Sequence, residues 1–309
     1  MTEAAGREAR ADGASYVTPL TPTREAPLDV LVAGCGWLGT EIARTLAARG
    51  DRVTGIRRDP GRARELLAIG VEPLALDLAA PGAVDRIPGV DAIVACQAAG
   101  ADGEGPYRTA YVTANLALLA AAARGGTRAF VYTGSTGVFG QRDGSDVHEA
   151  TPPAPASPAA AVLVEAEALV RRASSRGLRP AVMRLTGLYG PGRAGIVERV
   201  RSGRLALGPG DGAWMNFCHR ADAVAFVLAA LDRGAPGALY HGSDSRPARR
   251  REVVEWVSRR LGIDPPRTDA PAADGPDRRI LSERTRLELG VKLLYPSLDD
   301  GLAELVGAG

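Results

Sequence analysis

Lysine is nearly missing from this chain. Lys292 is the only one, and every other basic side chain is an arginine or one of three histidines. Chemistry that relies on a side-chain amine therefore has one residue to draw on. Cysteine is scarce as well: Cys35, Cys96 and Cys218 are odd in number and scattered within apolar runs. That excludes a disulfide framework and zinc-ligand spacing, so buried inert thiols and no metal site are expected. No run of 18 apolar residues occurs, so no membrane-spanning segment is expected. A net charge of +2 predicts neither a nucleic-acid nor a membrane partner. Residues 1–27 are polar and rich in Ala, Gly, Thr and Pro, without an apolar signal core. They read as a disordered tail, and the protein as cytoplasmic. What remains of the 309 residues suffices for one large or two modest domains with a real core.

The stretch 28–58 organises the rest. An apolar run over 28–33 leads into Gly34-Cys35-Gly36-Trp37-Leu38-Gly39, then a helical pattern with Leu38, Ile42 and Leu46 on one face. Gly50 and a second apolar run over 53–56 follow. This is strand, glycine-rich turn, helix, strand, with G-x-G-x-x-G where a dinucleotide requires it. Gly34 permits the tight turn, Gly36 lets backbone approach a pyrophosphate, and Gly39 lets helix pack on strand. Trp37 and Leu38 then stand at a helix N-terminus, whose unpaired N–H groups suit phosphate. The second strand ends in Arg57-Arg58 instead of the carboxylate that grips a ribose 2′-hydroxyl. Two guanidiniums suit a 2′-phosphate, so NADP(H) is favoured and NAD(H) is the alternative.

Further strands are read over 71–76, 92–96, 129–133, 180–185, 214–218 and 238–241. Helices are read over 61–69, 107–124, 159–175, 195–201, 220–231 and 249–261, with a Pro-rich loop and short helix at the end. Alternating strands and helices imply α/β architecture: a doubly wound (Rossmann) parallel sheet with a small C-terminal cap or substrate region. Residues 28–190 form the dinucleotide-binding part, and 191–309 a mixed region with segments returning to the sheet. Ligands of such sheets collect at strand ends. Candidate cofactor contacts are therefore Asp77 (for adenine, or else a turn cap) and Leu78, with Gln97 and Ala98 after the fourth strand.

The motifs VAGCGWLG, FVYTGSTGVFG, EATPPAPASP, MRLTGLYGPGR and NFCHRADAV, with the helix bearing Asn115, resemble the extended short-chain dehydrogenase/reductase family, its NAD-dependent epimerase/dehydratase group. The likeness covers residues 28–305, and the shortened glycine spacing is closer to atypical members. It implies that Ser135 hydrogen-bonds a substrate oxygen, with Thr136 a second hydroxyl. It also places the loop after the sixth strand, with Leu185 and Leu188, beside the nicotinamide. The family's Tyr and Lys fall on Ala159 and Leu163, while Glu167 matches the acidic residue that commonly follows. The usual proton path, a phenol whose pKa an amine lowers, is absent.

Several side chains could replace the missing acid or base. Tyr111 is the candidate catalyst, with Tyr107 one turn away as a substrate contact; both could equally pack the core. Tyr189, Arg193 and Asn216 are candidate substrate contacts, each with a scaffolding role as the alternative. Cys96 stands at a strand end near the nicotinamide. His219 with Asp222 resembles a structural family segment, and His148 lies in a polar loop. The expectation is an NADP(H)-binding oxidoreductase, or epimerase/dehydratase-like enzyme, acting on a small metabolite through a non-standard acid or base. Alternatives are a non-catalytic NAD(P)-binding sensor or scaffold, and a non-redox isomerase, cyclase or lyase. The resemblance also implies a homodimer.

Overall fold

Every apolar side chain of the first strand, β1 (Asp29–Ala33), finds a core on its own side. Leu31 and Ala33 enter one apolar cluster, Val30 and Val32 the other. A strand apolar on both faces belongs inside a parallel sheet sandwiched by helices, and there it lies. The structure, a computed structural model, describes residues 26–174, 177–271, 275–303 and 305–306. The tail expected over 1–27 lies, but for residues 26 and 27, outside the described residues.

After β1 come helix α1 (Trp37–Ala48), β2 (Arg52–Arg57), β3 (Glu72–Ala75), β4 (Ala92–Ala95) and β5 (Ala129–Ser135). Strands Arg179–Leu185 and Ala238–Gly242 complete a seven-stranded sheet. Its order is Ala238–Gly242, Arg179–Leu185, β5, β4, β1, β2, β3, with every pairing parallel. The chain winds outward from β1 through β2 to β3, then returns to start again at β4. The β1/β4 boundary is thus the switch point where such sheets bind ligands. Helix α1 and helix Arg220–Arg233 supply Ile42, Leu46, Val224 and Val227 to one core. Helices Ala114–Gly125 and Pro158–Arg172 supply Leu118, Val162 and Val170 to the other. The α/β doubly wound reading is what the chain adopts. Both the helix Arg220–Arg233 and the strand Ala238–Gly242 come from the 191–309 region and complete the sheet layer.

Four readings need correction. The helix expected over 107–124 is a short helix Glu104–Tyr107, a π turn Arg108–Thr113, then Ala114–Gly125. Asn115, fully buried, donates through Nδ2 to the Tyr111 carbonyl (2.8 Å) and so holds the widened turn. The helix expected over 61–69 changes to a tighter 3₁₀ turn at Glu65–Ile69. The strand expected over 214–218 breaks into Trp214–Met215 and Phe217–His219, which pair with different partners. Finally, Arg142–Val147 and Asp277–Ile280, read as loop, pair in parallel. Their DGSD and DRR segments lack the apolar alternation that announces a strand.

Candidate functional site

The three glycines of the first turn each answer to a different spatial demand. Gly34 has φ +85°, and a Cβ there would strike the backbone of Gln97. A Cβ on Gly39 would strike the Gly34 carbonyl oxygen. At Gly36 a Cβ would meet nothing nearer than the Gly34 oxygen at 4.0 Å, so the space beside it is open. Gly36 also caps α1 without a side-chain hydrogen bond. Open backbone at a helix N-terminus suits a diphosphate, and the residues present fit a dinucleotide.

From this turn a cleft of about 1370 Å³ runs along the strand ends. Its lining brings together Gly34, Gly36, Trp37, Leu38 and Gly39 with Arg57, Arg58, Asp77 and Leu78 at one end. Gln97, Ala98, Tyr111, Ser135, Thr136, Leu185, Leu188 and Arg193 follow toward the other. Tyr107, Tyr189 and Asn216 are not among them. Arg62, which was not singled out in the sequence, lines the arginine end as well.

The two arginines differ. Arg57 donates to the Cys35 carbonyl (2.6 Å), the Arg62 carbonyl (2.8 Å) and the Thr40 hydroxyl (3.0 Å), and pairs with Glu65 (2.9 Å). Its guanidinium ties β2 to the glycine turn. Arg58 has no such bond among the described residues and is the freer of the two. Asp77 accepts from the Ala79 N–H (3.0 Å), the turn-capping alternative, while still lining the cleft.

At the other end, Ser135 Oγ accepts from the Gly137 N–H (3.0 Å) and retains its own proton to donate. Thr136 Oγ1 lies 3.4 Å from the Leu185 carbonyl, to which it donates. Tyr111 accepts at Oη from the Ala99 N–H (3.4 Å), and burial raises its pKa. It is therefore a neutral hydrogen-bond donor rather than a phenolate. Tyr132 on β5 was not singled out in the sequence. Its hydroxyl is buried with no partner among the described residues, yet the residue lines the cleft. Leu163 forms apolar wall. Glu167 is bound twice by Arg184, at 2.9 and 2.7 Å, so this buried acid is committed to an ion pair.

Other candidates turn out to be scaffold. Tyr107 packs edge-on against Tyr111, with ring centres 5.2 Å apart. Tyr189 is buried, and its hydroxyl donates to the Ser297 carbonyl (3.4 Å). Both amide atoms of Asn216 are used: Nδ2 donates to the Arg278 carbonyl (2.9 Å) and Oδ1 accepts from the Ile280 N–H (2.7 Å). Tyr107 lines neither cavity, whereas Tyr189 and Asn216, though engaged in these hydrogen bonds, line the second cavity described below. Burial pushes the Cys96 thiol up to about 11, which leaves no thiolate near neutrality. His219 accepts from the Ala221 N–H (3.2 Å) as a helix cap, and burial lowers its pKa to about 4. Asp222 accepts from the N–H groups of Leu294 (2.7 Å) and Tyr295 (3.0 Å).

A second cavity of about 750 Å³ adjoins the first, sharing Thr136, Gly187, Leu188 and Arg193 with it. Trp37 lines the first cavity. Its indole N–H donates to the Pro191 carbonyl (2.9 Å), and Arg193 and Arg220 lie over its ring at 5.3 and 5.0 Å. Among the described residues no His, Cys, Asp and Glu side chains gather as a metal-ion site, and no helix is long and apolar enough to cross a membrane.

A parallel sheet with a glycine turn at its switch point defines a Rossmann-type nucleotide-binding protein. The profile of the NAD dependent epimerase/dehydratase family matches residues 30–241, and the chain belongs to that family. It is 32% identical over 302 residues to a 3-diazoavenalumate denitrifying reductase of a Streptomyces species, covering 88% of this chain and 98% of that one. It is 28% identical over 271 residues to the protein YeeZ of Escherichia coli K12, covering 86% and 96% respectively. Among solved structures it is similar to a short-chain dehydrogenase/reductase superfamily protein from Agrobacterium tumefaciens with bound NAD. That likeness has a TM-score of 0.77 at 22% identity over 90% of this chain and 96% of that one, and it shows the fold.

Proposed function

We propose that the protein is a nicotinamide-dinucleotide-dependent reductase, preferring NADPH, whose acceptor takes up hydride without a proton from a tyrosine–lysine pair. The observation that carries this reading is the makeup of one cleft. It keeps the diphosphate turn and the Ser135–Thr136 hydroxyls but has Leu163 where the family places its amine. The dinucleotide, when bound, supplies the hydride. Gly36 and the start of α1 hold its phosphates, and Arg58 with Arg62 grips the 2′-phosphate. Ser135 and Tyr111 orient the acceptor by donating hydrogen bonds, and the apolar Leu163 and Leu188 exclude water.

Without a phenolate–amine pair, neutral ketones are poor acceptors, because the alkoxide formed needs a proton. Acceptors that carry their own positive charge have no such need. An iminium plus hydride gives an amine, and an aryldiazonium plus hydride gives an arene and dinitrogen. The name of the Streptomyces relative, a denitrifying reductase of a diazo compound, supports this class. The test mixes NADPH and protein with an iminium, an aryldiazonium and an aldehyde, following the nicotinamide absorbance against protein-free controls. Turnover of the cationic acceptors is expected to exceed that of the aldehyde by about tenfold or more, with Tyr111→Phe raising KM through the lost orienting hydrogen bond but not abolishing turnover. Faster turnover of the aldehyde, abolished in Tyr111→Phe, would restore an ordinary proton-donating mechanism. The same absent pair favours a second reading, a non-catalytic redox sensor, and unaided turnover of any acceptor removes it.

A further inference from the structure

Two buried arginines in this protein are treated in opposite ways. Arg184 is clasped by both carboxylate oxygens of Glu167. Arg278 is 8% exposed, and among the described residues its guanidinium meets only carbonyl oxygens, those of Thr136 (3.0 Å) and Gln141 (3.4 Å). Burial alone lowers its pKa, with no acid acting on it. A guanidinium held out of water without a counter-charge is costly, and its upkeep implies an anion that arrives from outside.

Its surroundings say where. Arg278 lines the second cavity beside Thr136, the residue after Ser135, and so stands where that cavity opens into the cofactor cleft. Arg193, Arg199, Arg204 and Arg250 line it too, and the side-chain Nε of Arg250 is buried without a partner among the described residues. The one carboxylate in the described lining, Glu198, is paired with Arg201 at 3.2 Å. Trp214, Phe217 and Met215 add apolar and aromatic wall. Asn216 grips the backbone on either side of Arg279, at Arg278 and Ile280, and so sets the strand that presents Arg278.

We infer that the second cavity receives a small aryl carboxylate, with the carboxylate on Arg278 and the ring against Trp214 and Phe217. This rests on the reductase reading and names its substrate class: an aromatic organic acid held at the mouth of the cofactor cleft. Arg278 is then a specificity-determining residue.

The test is calorimetric titration of the NADP⁺-loaded protein with cinnamate and with cinnamamide, its uncharged analogue. Cinnamate should bind about tenfold or more tightly than the amide, the range of a charge-assisted hydrogen bond. Arg278→Met should bring the two within about twofold while leaving NADP⁺ affinity unchanged. Should that variant fail to fold, Arg278→Gln keeps a donor for the Thr136 carbonyl while removing the charge, and should lose the preference equally. Equal binding of acid and amide by the unaltered protein overturns the inference, as does a preference that survives either substitution. Uridine diphosphate is the control. If it binds and cinnamate does not, the cavity serves a nucleotide and the inference falls. Because binding is read without turnover, a protein that binds cinnamate through Arg278 yet reduces nothing refutes the reductase reading alone.

Discussion

The two ends of the long cleft are built by different rules. At the phosphate end, backbone sets the geometry: an open face at Gly36 lies between two glycines that tolerate no Cβ. At the hydride end, side chains from distant segments meet. Tyr111 comes from a π turn, Ser135 from a strand end and Leu163 from a later helix, while Arg278, from near the C-terminus, lines the adjoining cavity. A site made of backbone imposes a spacing on a few adjacent residues. A site made of side chains from remote segments can change its chemistry without disturbing the fold, and the proposed loss of the tyrosine–lysine pair would be such a change.

The largest expected effect contrasts two glycines of one turn. A Cβ at Gly39 meets backbone that cannot swing aside. Gly39→Ala should therefore cost about 2–3 kcal/mol of stability, the upper range for overpacking, and abolish NADPH binding. Gly36→Ala has room in the protein but not beside a diphosphate. It should melt like the unaltered protein while binding NADPH about tenfold or more weakly. Thermal melting and NADPH fluorescence titration measure both. Unaltered NADPH binding by Gly36→Ala would move the diphosphate away from this turn and break the comparison.

The same difference explains what could be read from the sequence. The turn, its flanking strands and the sheet's winding were legible because each leaves a local period or spacing. Asn115 and Ser135 were legible through motif resemblance. Arg278 was not, since its strand pairs with one more than 130 positions earlier and neither carries apolar alternation. Tyr132 was hidden for another reason: a tyrosine inside an apolar strand looks the same whether or not its hydroxyl has a partner. Asn216 was seen as a polar residue in an apolar run, but its partners lie 62 and 64 positions away.

A smaller effect separates the adjacent arginines and sharpens the phosphate end. Arg57 is held by three hydrogen-bond acceptors and Glu65. Arg57→Ala should lower the melting temperature and weaken NADPH and NADH alike. Arg58 lines the cleft without such ties. Arg58→Ala should melt normally and shift the ratio of NADPH to NADH affinity toward NADH by about tenfold. Competitive titration with both nucleotides reads this, and an unchanged ratio would take the 2′-phosphate away from Arg58.

A last contrast lies in how the two halves of the molecule bury charge. At the C-terminal end of α1 buried ions come paired, as Arg49 is with Asp51 at 2.9 Å and Asp232 at 2.7 Å. Asp244, in the C-terminal half, is buried with Oδ2 unpartnered among the described residues, and Oδ1 accepts only from the Arg246 N–H at 3.3 Å. Burial, aided by nearby Asp222, pushes its pKa from 3.8 to about 8. Between those values the folded protein holds a proton that the unfolded chain releases. Stability therefore falls as pH rises through this window, by at most about 1.4 kcal/mol per pH unit. Asparagine mimics the protonated acid. Asp244→Asn should match the unaltered protein only below about pH 3.8, the unfolded value, and become progressively more stable than it toward pH 8. Melting curves across that range test this. A difference that does not grow with pH would mean that Asp244 is ionised in the fold, with its charge met as fully as that of Asp51.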